Sequence, residues 1–340
     1  MIYRSKAPLR IGLAGGGTDV SPYSDLYGGA ILNATISLYA NATIEPISEN
    51  KIILQSLDRD ELQQYEWSKE LPITGGLDLL KGIYNRIQKD YGIEQQGFRL
   101  ATYVDAPAGS GLGTSSTLVV AIIGAFTEML RLPLGEYDMA QYAYDIERND
   151  LKLAGGKQDQ YAATFGGVNY MEFEKDDKVI VNPLRIKQQY LFELENNLLL
   201  YYTSTSRESA EIIKKQSKNV VEKKDSSIEA MHHLKEQAKL MKDALLKGKL
   251  NEIGEILDFG FQQKRQMAEG ISNPLIEEIY ETAKKAGATG GKISGAGGGG
   301  FMIFYCPVNT KYSVIKSLEK FGGRYRRYKF TEHGLTTWTI

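Results

Sequence analysis

With one cysteine among 340 residues, the chain has no pair for a disulfide and no thiol cluster for a metal. That cysteine, Cys306, closes the apolar run 301–306, where a thiol behaves as a small buried strand residue of a reducing compartment. Histidine is nearly as scarce. His232 and His233 are adjacent on a predicted helix, about 100° apart around its axis, and His333 is remote, so no zinc site is expected. A basic excess is also missing: 41 Lys and Arg against 42 Asp and Glu leave a formal net charge of −1, which argues against a nucleic-acid partner. No apolar run approaches the roughly 18 to 20 residues of a membrane span. The first residues, MIYRSKAPLRIG, lack the apolar stretch of a signal peptide. We therefore expect a cytoplasmic chain with no membrane partner.

Glycine is plentiful, 35 residues in all, and three runs concentrate it. The most telling is Pro107-Ala-Gly-Ser-Gly-Leu-Gly-Thr-Ser-Ser116, where three glycines and four hydroxyl residues lead into the apolar stretch 118–130. A glycine-rich loop feeding a helix N-terminus presents unpaired N–H groups and a favourable dipole to an anion. The glycines Gly109, Gly111 and Gly113 allow close backbone approach to a polyphosphate, while Ser110, Thr114, Ser115 and Ser116 offer oxygens to phosphate or to a magnesium ion. An isolated loop of this kind is as often a set of turns. The other two runs, residues 12–19 and 290–300, point to one shared site.

Established phosphate signatures can be tested by letter. The P-loop template needs Ser or Thr after Gly-Lys, but Gly291-Lys292 is followed by Ile293. The dinucleotide template is met only weakly, because Gly109-Ser-Gly111-Leu-Gly113 misplaces its third glycine. A nicotinamide-dependent oxidoreductase is thus the runner-up reading.

The three segments, in this order, resemble the GHMP kinases. The central motif of that superfamily, P-x-x-x-G-L-G-S-S, is met by Pro107, Gly111, Leu112, Gly113, Thr114 and Ser115, with Thr114 keeping the hydroxyl of the first serine. The resemblance runs from Ala7 to about Phe304. It implies an α+β, two-domain fold with a ribosomal-protein-like N-terminal domain, a ferredoxin-like C-terminal domain and an active site in the cleft between them. It also implies ATP as phosphate donor, with Mg²⁺.

Length and composition suit such a chain: 340 residues exceed one ordinary core, and 42% hydrophobic with 24% charged is normal globular usage. Strands are expected at 30–47, 51–56 and 97–104, and helices at 114–130 and 137–151. Residues 206–286 read as mostly helical, with Ile228, Met231, Leu234, Ala238, Met241 and Leu245 forming a core-facing stripe. Gly248 punctuates the helices, and Asn273-Pro274 reads as an N-cap followed by an N1 proline. Strands at 301–305 and 336–340 complete a second domain. We place the boundary near 183–191, giving domains 1–187 and 188–340.

Four residues carry the chemistry that the resemblance implies. Asp159, in Gly155-Gly156-Lys157-Gln158-Asp159, stands at the position of the catalytic Asp, which takes or orients the proton of the acceptor hydroxyl. Glu147 stands at that of the magnesium-binding Glu, and Ser115 completes the metal site. A continuous helix would hold residues 147 and 159 about 18 Å apart, so the chain must turn at Ala154-Gly155-Gly156. Arg10 occupies the basic position of the first motif, although Leu9 replaces its usual glycine, and a fixed guanidinium there stabilises the moving phosphoryl group. Locally read, Asp159 is a helix-start carboxylate, Glu147 a surface glutamate and Arg10 a strand-end charge.

The acceptor is read from Gly15-Gly16-Gly17-Thr18-Asp19, where sugar kinases of the superfamily carry G-E-H-T-D. Loss of the Glu and His argues against a galactose acceptor, and retention of Thr18-Asp19 favours a polyol. With Gly28-Gly29-Ala30 and Thr35-Ile36, this motif looks like that of the bacterial heptose phosphate kinases; fucokinases carry a similar one. Gly16, Gly17, Thr18, Asp19, Gly156, Gly295, Ala296 and Gly297 are the expected substrate contacts. A phosphate already on the sugar would need a cation, for which Lys157, Arg207 and Lys292 are candidates. A catalytically dead sugar sensor is the third reading, disfavoured by joint retention of Arg10, Ser115, Glu147 and Asp159. Oligomeric state is not legible.

Overall fold

The computed structural model describes residues 1–205 and 209–340. Its first half runs β1 (Tyr3–Ala14), α1 (Tyr23–Tyr27), β2 (Gly29–Pro46), β3 (Lys51–Ser56), β4 (Glu61–Glu66), α2 (Asp78–Tyr91), β5 (Phe98–Val104), α3 (Thr114–Leu130), α4 (Glu136–Asp145), α5 (Gln158–Phe165), β6 (Val168–Phe173) and β7 (Val179–Pro183). The second runs α6 (Gln188–Asn197), β8 (Leu198–Tyr202), α7 (Ser209–Val221), α8 (Asp225–Lys247), α9 (Ile253–Met267), α10 (Pro274–Lys285), β9 (Gly290–Ile293), β10 (Phe301–Tyr305), α11 (Lys311–Leu318), β11 (Arg324–Arg326) and β12 (Thr336–Thr339). The fold is α+β, as the motifs implied. No helix is long and apolar enough to cross a membrane among the described residues.

An eight-stranded sheet has the path β12-β1-β2-β5-β3-β4, with β6 and β7 continuing from the far end of the long strand β2. A four-stranded sheet has the order β11-β8-β10-β9. The chain changes sheet between Pro183 and Leu198. The helix α3 is apolar nearly all round, with Val119 to Phe126 buried, and accordingly it lies in the core against β1 and β2. The core is shared: Leu198, Leu200, Ile303 and Tyr305 of the smaller sheet join the α3 cluster, whereas Leu199, Tyr201, Met302 and Phe304 face a second cluster under α9 and α10. Alternation across a sheet buried on both faces explains why β10 reads as an unbroken apolar run. Cys306 lies in that second cluster, and burial pushes its thiol up to about 12.

Helix α3 begins and ends where expected, as does β3. Asn273 caps α10 by accepting the Ile276 N–H at 3.1 Å, and Gly248 ends α8 in the left-handed region. The helix expected over 137–151 instead breaks at α4, and Ile146–Asp150 winds as a π-turn. One expectation is overturned. The strand near 336–340 does not complete the second sheet; β12 pairs antiparallel with β1, from Tyr3↔Thr339 to Lys6↔Thr336. Its Thr337 and Thr339 hydroxyls donate to Glu128 of α3 at 2.7 and 2.9 Å, an anchor that local sequence does not reveal.

Candidate active site

The three glycine runs meet. Gly111 sits at φ +83, and a Cβ there would overlap the Ser294 carbonyl, so the first half and the 294–300 turn touch backbone to backbone. The contact is fastened by Ser294 Oγ donating to Gly111 O at 2.8 Å and Phe301 N–H to Ser110 O at 2.8 Å, while Arg10 N–H donates to Leu112 O at 3.2 Å and ties β1 to the loop. Beside this seam lies a cavity of about 750 Å³. Its walls come from β1, the 107–116 loop, the π-turn, α5, α7, α9 and β9.

On one side the loop enters α3, whose N-terminus has no side-chain cap. Its first N–H groups lack intrahelical partners by construction, leaving donors for an anion. Gly109, Gly111, Gly113, Thr114, Ser115 and Ser116 line the cavity, whereas Pro107, Ser110 and Leu112 shape the loop from behind.

Asp159 stands in the first turn of α5, where the helix dipole favours a carboxylate. Arg10, buried on β1, donates from Nε to Asp159 Oδ1 at 2.6 Å, holds a terminal nitrogen in ion-pair contact with the same oxygen at 2.6 Å, and donates from its other terminal nitrogen to Gly111 O at 2.7 Å. One guanidinium thus ties the glycine loop to the carboxylate. Oδ2 of Asp159 has no protein partner among the described residues.

Glu147 is buried, and the π-turn aims it inward, a common use of such bulges. Its Oε1 accepts from Ser115 Oγ at 3.3 Å, and its Oε2 from Gln160 Nε2 at 2.5 Å. The turn at residues 154–156 therefore brings α5 back beside Glu147, as the spacing required. Gln160 also donates to Ser116 Oγ at 3.1 Å, a link the motifs did not announce.

At the other end, Asp19 Oδ2 accepts the Gln158 N–H at 3.1 Å, while its buried Oδ1 has no partner among the described residues. Burial, then the nearby Asp159 charge, raises the Asp19 pKa above the usual carboxylate range. Gly156 leaves room for this carboxylate, since a Cβ there would overlap it. Gly16, Gly17, Gly156, Gly295 and Ala296 line the same end; Thr18 lies beneath, donating to Gly15 O and Ala30 O, and Gly297 packs on Ile271.

The three predicted cations separate. Lys157 is buried away from the cavity, paired with Asp177 at 2.6 Å and Asp25 at 3.3 Å. Arg207 lies outside the described residues. Lys292 lines the cavity and donates to Gly12 O at 2.9 Å. A further lysine, Lys264 of α9, lines it too, with Nζ 2.7 Å from Gly295 O. Nothing in the local sequence, Gln262-Gln263-Lys264-Arg265-Gln266, marks Lys264 as buried. No cluster of metal-ligating side chains of three or more occurs among the described residues.

A glycine cradle at a helix start, an Arg–Asp pair and a polar pocket beyond it are the parts of a small-molecule phosphotransferase. Residues 78–167 match the GHMP kinases N terminal domain, and residues 241–323 match the GHMP kinases C terminal domain. The chain belongs to the GHMP kinase family, and with it the oxidoreductase reading falls. Across 99% of both chains it is 48% identical to a D-glycero-alpha-D-manno-heptose 7-phosphate kinase of Campylobacter jejuni. A crystal structure described as a D-glycero-D-manno-heptose 1-phosphate kinase of Bacteroides thetaiotaomicron superposes with a TM-score of 0.85, at 46% identity over 99% of each chain. An L-fucokinase/L-fucose-1-P guanylyltransferase of Bacteroides fragilis is 28% identical over 87% of this chain, which spans 34% of that protein. GHMP kinases use ATP as phosphate donor, and the chain is an ATP-dependent kinase.

Proposed function

We propose that the chain transfers the terminal phosphoryl group of ATP to the anomeric hydroxyl of D-glycero-D-manno-heptose 7-phosphate, yielding the 1,7-bisphosphate for nucleotide-activated heptose synthesis. The observation that carries this reading is the pair of buried Arg10 with partly exposed Asp159, set between the glycine loop and an Asp19 carboxylate oxygen that has no partner among the described residues. The pair supplies a held carboxylate for the acceptor proton, and Asp19 supplies an acceptor for a sugar hydroxyl. Residues 1–187, with β12 returned to their sheet, form the nucleotide-binding unit, and the chain from 188 closes the cleft through α7, Lys264 and Lys292.

In this mechanism the loop amides and the N-terminus of α3 hold the phosphates of ATP. Asp159 Oδ2 faces the acceptor hydroxyl and takes or orients its proton, while Arg10 fixes the carboxylate through Oδ1 and offsets negative charge on the phosphoryl oxygens. Ser115 and Glu147 provide the hard oxygen donors that suit Mg²⁺, and the buried Glu147 carboxylate fits a cation with phosphate oxygens as co-ligands. Bound there, Mg²⁺ would screen the charge on the phosphates. Glu147→Gln and Ser115→Ala are expected to raise the Mg²⁺ concentration for half-maximal rate about tenfold or more; unchanged magnesium titrations in both would remove the metal assignment.

A phosphate already at C1 would block the anomeric oxygen, so the 7-phosphate is the acceptor that fits this transfer. Rates across heptose 7-phosphate, the unphosphorylated heptose, fucose, galactose and mevalonate test the proposal. We expect heptose 7-phosphate to lead in kcat/KM, and the new phosphorus resonance of the product to couple to the anomeric proton. Preference for fucose would establish the fucokinase alternative instead.

A further inference from the structure

Four lysines of this fold are almost fully buried: Lys81, Lys157, Lys264 and Lys292. Two obey the usual rule that a buried charge is paired. Lys81 meets Asp78 at 2.5 Å, and Lys157 meets Asp177 and Asp25. Lys264 and Lys292 do not. Among the described residues no carboxylate lies within 4 Å of either ammonium, and their hydrogen bonds go only to the carbonyls of Gly295, Gly16 and Gly12. These two are also the buried lysines that line the cavity.

Isolated burial of an ammonium is costly, and the pair bears the mark of it. Burial lowers Lys264 to about 8, and it carries Lys292 well below the ordinary lysine range, with Lys264 and Arg10 repelling it further. Two such amines in one cavity, held by carbonyls and, among the described residues, ion-paired with no carboxylate, are matched to an anion of the ligand, with Asp19 attracting Lys264 only from beyond ion-pair distance. Lys264 reaches the cavity beside Gly16, near Asp19, and beside Gly295, which abuts Gly111 of the glycine loop, so it stands between that loop and Asp19.

We propose that Lys264 and Lys292 together form the subsite for the phosphate monoester already carried by the acceptor, with Lys264 as its specificity-determining residue. The assignment of that phosphate to the acceptor rests on the proposed function above; the anion subsite itself rests on the two unpaired lysines. The shared chemistry is a phosphate dianion, and the test separates the acceptor's phosphate from that of the nucleotide.

In steady-state kinetics, Lys264→Met and Lys292→Met are each expected to raise the KM for heptose 7-phosphate about 10- to 150-fold, the value of one charged hydrogen bond. The rise should exceed that for the neutral heptose at least tenfold, with the KM for ATP changed less than threefold. A structural lysine would destabilise the fold when removed. Here, loss of an uncompensated buried charge should leave the melting temperature of Lys264→Met no lower than that of the wild type. A rise confined to the KM for ATP, or an equal rise for both heptoses, overturns the proposal.

A second measurement uses the wild-type chain and no sugar. The charged side chains sharing the cavity with Lys264 are Arg10, Asp19, Glu147, Arg148, Asp159 and Lys292. At pH 8.5, with Mg-ADP saturating, a dianion beside Lys264 draws a proton onto its amine. Calorimetric titration with inorganic phosphate in two buffers of different ionisation enthalpy should therefore show net proton uptake, reduced in Lys264→Met, where Lys292 remains to take a proton. No binding, or binding undiminished in both Lys264→Met and Lys292→Met, overturns the subsite. Phosphate taken up with a proton by a chain that ignores heptose 7-phosphate upholds the subsite and overturns the proposed substrate.

Discussion

Asp159→Asn is expected to lower kcat by about 10²- to 10⁴-fold while leaving the affinity for Mg-ATP within a few-fold of wild type. The reason lies in the division of labour between the two carboxylate oxygens. Both Arg10 contacts fall on Oδ1, which asparagine retains as a carbonyl, so the side chain stays fastened to β1 and to the glycine loop. The substitution replaces the other oxygen by an amide that cannot accept a proton from the acceptor hydroxyl. Single-turnover quench with saturating ATP and acceptor measures the loss, and fluorescence titration with a nucleotide analogue measures binding. Turnover at the wild-type rate would withdraw Asp159 from the reaction.

Gly111→Ala is expected to destabilise the fold by about 2 to 5 kcal/mol and to weaken ATP binding at least tenfold. Two costs add at this residue. An alanine held at φ +83 costs about 1 to 2 kcal/mol. Its methyl also overlaps the Ser294 carbonyl, a backbone atom that cannot swing aside, and overpacking of this kind costs about 1 to 3 kcal/mol. Relief requires the glycine loop to draw back from the 294–300 turn, which disturbs the loop amides and the carbonyl that receives Arg10. Gly92→Ala separates the terms: Gly92 has φ +69 but open space around its would-be Cβ, so it bears the backbone cost alone. Equal melting temperatures for the two variants would show that the seam contact contributes nothing.

The sequence made the parts of the site readable in proportion to how local their signals are. Helix α3 is announced by its own glycine loop and apolar run, and its bounds agree with expectation. The separation of Glu147 from Asp159, with glycines between, demanded the turn that brings Gln160 onto Glu147. Lys264 gave no such signal. It is the only lysine of α9, next to Arg265, which pairs with Glu277, and its burial follows from the packing of α9 on β9 and β1, contacts far apart in sequence. Lys157 stands beside a glycine turn of the right kind, yet Asp177 and Asp25 claim its charge. The place of β12 was equally illegible, because a short threonine-rich strand fits the edge of either sheet.

The pairing of β12 with β1 also sets an order of events in the making of the protein. Residues 3–6 leave the ribosome on the order of 330 residues before residues 336–339. At about 5 to 20 residues per second, the outer edge of β1 waits roughly 15 to 65 s for its partner. Throughout that interval the strand that carries Arg10 is the open margin of a nascent sheet, with β2 on one side and unpaired backbone groups on the other. The nascent chain is therefore exposed to misassociation at the start of the strand that bears Arg10 until residues 336–339 cover residues 3–6.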